Sequence, residues 1–218
     1  MRKLFTVLCA AILTLSVSAQ AQFGLVTGLN SSAIGSTASD DGLAMEEARL
    51  GMHFGGVAHI SLGDVMQLRT GAIYSQKGAS DTETEGGYTT SLTINLDYLE
   101  IPVDVAFKLG DAFSLSAGPY IAFAMNKSAS IKTDAPGASE EIAFFEAIIS
   151  SMIDDYVGGM DFGLNFGMSY TLADSYLIGA RYGMGLMDIL DEDQVSGVDD
   201  EIWINGCLSF SVGYVFGG

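Results

Sequence analysis

Leu92–Phe107 reads LTINLDYLEIPVDVAF, and the fold turns on how this stretch is taken. From Leu92 to Tyr98 the even positions are apolar (Leu92, Ile94, Leu96, Tyr98) and the odd ones polar (Thr93, Asn95, Asp97). This is the period of a strand with two unlike faces. From Leu99 onward Leu99, Ile101, Val103, Val105 and Phe107 carry the apolar side, while Glu100, Pro102 and Asp104 take the polar one. One extra residue exchanges the faces of a strand, so the pattern predicts a β-bulge at Tyr98–Leu99. A nearby irregularity also suits Pro102, which has no ladder donor. A strand this long, with charge on one face and bulk on the other, fits a membrane-spanning barrel better than a soluble sheet.

Seven further segments alternate in the same way: 23–30, 50–62, 66–77, 113–126, 160–171, 176–186 and 202–216. With the first, they make eight strands, the smallest usual number for a closed membrane barrel. The connections alternate too. Segments 62–65, 109–112 and 172–175 are short and hold one aspartate each (Asp64, Asp111, Asp174), whereas 31–49, 78–91, 127–159 and 188–201 are long. In an up-and-down barrel all short turns share one end and all long loops the other. The expectation is therefore all-β: an eight-stranded antiparallel up-and-down transmembrane β-barrel with a narrow filled lumen, in one domain. Only 3 prolines against 27 glycines, with 49% hydrophobic residues, agree with β-structure.

Size assigns the faces. One face collects Gly, Ser and Asn with a few charges, the other Leu, Ile, Phe, Met and Tyr. An eight-stranded lumen is only wide enough for side chains to fill, so the small face belongs inside and the bulky face against lipid. A lipocalin-like soluble barrel would have to place Phe-sized residues in that lumen and leave Arg181 and Asp104 in water. The inward face then carries Arg69, Lys77 and Arg181 with Asp97, Glu100, Asp104 and Asp161. Charges taken out of water are costly unless paired, so these seven are expected to form a compensated network plugging the lumen. Arg181 is expected at its centre, its guanidinium forking toward Glu100 or Asp104. The alternative use of the same residues is an ion path, making the protein a small pore. His53 and His59 also face inward, too far apart along one strand to share a metal ion.

Residues 1–21 read as a signal peptide: Arg2 and Lys3, the apolar run Leu4–Val17, then Ala19-Gln20-Ala21, leaving 22–218 as the barrel. The apolar run is short for an anchor helix. Of 9 basic and 27 acidic residues, losing Arg2 and Lys3 leaves 7 against 27, a net charge of −20 that argues against nucleic acid as a partner. Cys207 then stands alone and forms no internal disulfide. The long segments hold most of the acids. Segment 188–201 (DILDEDQVSGVDDE) lacks EF-hand spacing and reads as a solvated acidic loop. Segment 139–154 shows Ile142, Phe145, Ile149 and Met152 at helical spacing after Glu140-Glu141, a short amphipathic helix that either caps the mouth or docks a partner. No nucleophile elbow, phosphate loop or metal-ligand spacing is present in the sequence, so no catalytic, cofactor or metal residues are assigned.

Five motifs occur in order: Ser75-Gln76-Lys77-Gly78-Ala79, Asp97–Pro102, Gly118-Pro119-Tyr120, Asp161–Gly167 and Ala180–Leu186. Together they resemble the PorT-type outer-membrane β-barrel domain family of Bacteroidota. The resemblance implies the cell outer membrane as location and its lipid as surroundings, and one member is tied to secretion. Tyr214-Val215-Phe216 is similar to the terminal aromatic signal read by outer-membrane insertion machinery, with Gly217 and Gly218 following it. The expected role is structural, or the binding of an extracellular or envelope protein partner. A pore ranks second and an outer-membrane enzyme third.

Overall fold

The structure, a computed structural model, describes residues 21–36, 47–137, 139–189 and 202–216. Nearly all of the expected signal peptide, Cys9, and most of the first and last long loops lie outside these residues. Eight strands follow in order: β1 (Ala21–Ser36), β2 (Arg49–Ser61), β3 (Met66–Glu85), β4 (Tyr88–Leu109), β5 (Phe113–Thr133), β6 (Met160–Leu172), β7 (Tyr176–Gly185) and β8 (Trp203–Phe216). One helix, α1 (Ser139–Tyr156), lies between β5 and β6. Each strand pairs antiparallel with its sequence neighbours, and β8 returns to β1, with Phe23 opposite Phe216. Closure leaves no sheet edge in hydrocarbon, which is the condition for β-structure to cross lipid.

The faces sort by size as expected. Phe23, Leu25 and Leu29 of β1, Phe166 and Met168 of β6, and Phe210 and Val212 of β8 are exposed on the outer wall, while Asn30, Asn165 and Ser209 on the same strands are buried. Bulky side chains outside and small polar ones inside suit lipid outside the wall and not a soluble barrel.

The predicted bulge at Tyr98–Leu99 is not there. β4 keeps one offset against β3 from Phe107 opposite Met66 to Tyr88 opposite Glu85. Its even residues point inward on both sides of the supposed flip, Leu96, Tyr98, Glu100, Asp104 and Ala106 all being buried. The register shift lies across from it on β5, where Asp97 faces Asn126 but Tyr98 faces Ala124, so Met125 is the extra residue. The pattern reversed because both environments change with height. Near the loop end the lumen is apolar and the outer face wet; lower down the lumen is polar and the outer face meets lipid. A period-2 pattern reports only the contrast between two faces.

The strands also run further than expected. β3 and β4 continue through the expected loop 78–91 to a two-residue turn, Gly86-Gly87, with φ of 62° and 88°. Two left-handed residues in a row form the turn that follows the twist of a hairpin, and glycine adopts it without steric cost. β5 extends to Thr133, so β3, β4 and β5 project beyond the barrel together. The short connections after β2, β4 and β6 gather at the other end, with Ala21 and Phe216.

Candidate functional site in the barrel lumen

The lumen is layered along its axis. At the loop end lies an apolar layer: Leu96, Tyr98, Tyr120 and Ala122 from the wall meet Ile153 of α1, Val157 and Ile189. Beneath it sits Lys77, 2% exposed, its Nζ 2.9 Å from Glu100 Oε2 and 3.6 Å from Asp161 Oδ2. The ammonium lies 4.4 Å from the centroid of the Tyr120 ring and 5.5 Å from that of Tyr98, within cation–π range. Arg181 approaches Glu100 Oε1 at 3.0 Å, in a geometry too bent for a hydrogen bond. Asp161 Oδ2 accepts from Tyr120 Oη at 3.1 Å and from Asn205 Nδ2 at 3.1 Å. Two cations thus face two carboxylates, and buried charges of this kind are tolerated when so matched.

Glycines on the wall make room for the large side chains. A Cβ on Gly163 would stand 2.1 Å from Met184 O and 2.6 Å from the Tyr120 ring; one on Gly28 would stand 2.6 Å from His53 Cε1. Next along the axis His53 Nδ1 lies 2.8 Å from Asn30 Oδ1 and Nε2 lies 2.9 Å from Ser211 Oγ. An amide oxygen only accepts, so Nδ1 carries a proton and donates to Asn30, while the serine hydroxyl can serve Nε2 as donor or acceptor. Asn30 Nδ2 donates to Ser75 Oγ at 3.0 Å, and Ser209 Oγ donates to Asn30 Oδ1 at 2.8 Å.

The seven residues expected to form one network do not form one. Lys77, Glu100, Asp161 and Arg181 meet. Asp97 stands apart, on the outer face of β4, where it accepts from Tyr74 Oη at 2.8 Å and lies 3.7 Å from Arg49. Its burial comes from neighbours on the wet side of the wall, and the faulty bulge had exchanged its face. Lys77, with two carboxylates, is the hub; Arg181 contacts Glu100 but no ion pair joins it to Asp104. Arg69 sits opposite Asp104 in the ladder yet turns to Ser169 Oγ at 2.8 Å. The ring partners Tyr98 and Tyr120 and the amides Asn30 and Asn205 were not assigned from sequence. Gly163, Gly183 and Gly185 on β6 and β7 were the signal that something large points at that wall.

Helix α1 lies along the upper edge of β5, which β6 leaves unpaired above Phe123. Glu146 Oε1 accepts from Ile131 N at 2.6 Å and Ser150 Oγ accepts from Ala129 N at 3.0 Å. Lys127 Nζ donates to the carbonyls of Asp154 and Val157 at 2.6 and 2.8 Å, a cationic cap where the helix dipole is negative. Ile149 and Ile153 turn toward the mouth, so the helix caps it; Phe145 and Met152, expected on that face, are exposed. At the opposite end Tyr214, of the expected insertion signal, stacks edge-on between Tyr176 and Phe216, each at 5.2 Å, an aromatic cluster of the kind that marks a membrane boundary.

A comparison with curated proteins finds no match. Among solved structures, the chain is similar to Ail of Yersinia pestis, crystallised with the heparin analogue sucrose octasulfate, at 13% identity, 90% of this chain and 99% of that one, and a TM-score of 0.44. It is similar to Neisserial surface protein A at 12% identity, 89% and 97% coverage and a TM-score of 0.43. It is similar to OprG of Pseudomonas aeruginosa at 10%, 92% and 98%, and 0.42. Nothing those proteins bind transfers to this chain at such identities. The model of the outer membrane protein beta-barrel domain family matches residues 16–191, which places the protein in the outer membrane. That match covers β1 to β7, β8 closes the ring of eight antiparallel strands beyond it, and the chain belongs to the outer membrane protein beta-barrel domain family.

Proposed function

We propose that this is a non-conducting barrel whose working surface is its loop end, where it serves a structural role or binds an extracellular or envelope protein partner. One observation carries the reading: the Lys77–Glu100–Asp161–Arg181 layer spans the lumen directly beneath the apolar layer that α1 completes. A path for ions would have to break a desolvated charge layer and then cross an apolar one. The strand extensions and α1 stand at that end.

Residues 1–21 direct export, 22–218 form the mature barrel, and Tyr214 and Phe216 present the insertion signal. The five motifs support the finer PorT-type assignment and a Bacteroidota source, with a secretion-linked partner as one occupant of the loop end. Enzymatic activity is not part of this reading. Purified protein in liposomes should admit neither arabinose nor glycine faster than protein-free liposomes do. Rapid, size-selective uptake would make the protein a pore and end the reading.

A further inference from the structure

The turn end of the lumen is hollow where the loop end is packed. Past the His53 layer, Arg69, Asp104 and Arg181 border a chamber of about 100 Å³. Arg69 then crosses the lumen to Ser169, and beyond it a vestibule of about 290 Å³ opens among the turns. One water needs roughly 10–15 Å³ on this measure, so the vestibule takes a ligand of many atoms and not a lone ion.

Its charges are layered and unpaired. Arg69 and Lys108 line the wall, and Asp111 and Asp174, exposed in two of the turns, line the rim. Among the described residues none of these four has an opposite charge within 4.0 Å. Of the other described cations, Arg49, Lys77, Lys127 and Arg181 each hold a carboxylate, and only Lys132, exposed near the tip of β5, does not. In a chain with 27 acids to 9 basic residues, cations are not left single for want of partners. Arg69 makes no ion pair with Asp104, its neighbour in the ladder, and donates to Gln67 Oε1 and Ser169 Oγ instead.

We infer that the vestibule is a binding cup, open at the turn end, for a small zwitterion of amino-acid or short-peptide type. Arg69 and Lys108 hold the ligand carboxylate inside, and Asp111 and Asp174 hold its ammonium at the rim. A plain anion meets the rim acids first and a plain cation meets the wall; a molecule with both charges complements both layers. Thr171 lines the space between them, and Gln67, which accepts from Arg69 Nε at 3.1 Å, steadies the guanidinium there. The cup lies on the far side of the Lys77 layer, so it stands or falls independently of the non-conducting reading.

The test titrates glycylglycine, succinate and 1,4-diaminobutane, at one ionic strength, into the mature protein folded in detergent micelles. The His59 ring signals are followed by NMR, since His59 borders both spaces and a His53→Gln variant assigns them. Glycylglycine should give a saturable shift and bind more tightly than either other probe. Lys108→Gln should weaken it about tenfold, the worth of one charge-assisted hydrogen bond, and Asp111→Asn with Asp174→Asn should weaken it similarly. No saturable shift, an unchanged half-saturation in Lys108→Gln, or tighter binding of succinate would each overturn the inference.

Discussion

Lys77 illustrates how one side chain commits a barrel to an interior. Its ammonium is out of water, between two carboxylates and above two rings, so removing it strands Glu100 and Asp161 without the charge that makes their burial tolerable. Breaking a buried pair from one side typically costs about 3–5 kcal/mol. Lys77→Met should therefore lower the unfolding free energy of the detergent-folded protein by about that much, read as a lower urea midpoint at unchanged m. Arg181→Leu should cost less, because Glu100 keeps Lys77. A Lys77→Met midpoint equal to wild type would mean that the layer is hydrated. Gly163 makes the complementary point: the added methyl of Gly163→Ala meets Met184 O and the Tyr120 ring, and overpacking of this kind costs about 1–3 kcal/mol. A Gly163→Ala protein as stable as wild type would show that Tyr120 is free to move aside.

At the scale of the element, α1 stands where a strand would otherwise continue. A bare strand edge pairs with whatever offers a strand. Glu146 and Ser150 take up two of the β5 edge amides, and this protects the edge without adding a strand. Replacing both, Glu146→Ala with Ser150→Ala, should speed hydrogen exchange at Ala129 and Ile131 by about tenfold for each hydrogen bond of about 1.4 kcal/mol lost, leaving exchange at Leu115 unchanged. Equal exchange in variant and wild type would mean that the helix does not guard the edge. The helix was legible from its spacing, and so was every strand that crosses lipid, because lipid and lumen differ sharply in what they accept. Strand lengths above the membrane were not legible, since water lies on both sides there and alternation fades. The Gly86-Gly87 turn was the available sign of the long hairpin, its flanking threonines and glutamates being too alike to betray two faces.

For the whole molecule, alternating short turns and long loops fixed the topology before any contact was known. The interior pairing was harder to read: alternation assigns a face but no partner across the lumen, which is why Asp97 was placed inside and Lys77 was not recognised as the hub. Orientation follows from the same topology. In a Cys207→Ser background, Thr84→Cys should react with an impermeant maleimide on intact cells, whereas Asp111→Cys should react only after the outer membrane is opened. The reverse labelling would invert the barrel. The central claim is that stacked charge and apolar layers close the lumen, and single-channel recording in planar bilayers tests it most directly. Wild-type protein should show no steady conductance, while Lys77→Ser combined with Tyr120→Ser and Leu96→Ser should open stable current steps. Long-lived, uniform open channels from the wild type would contradict the account.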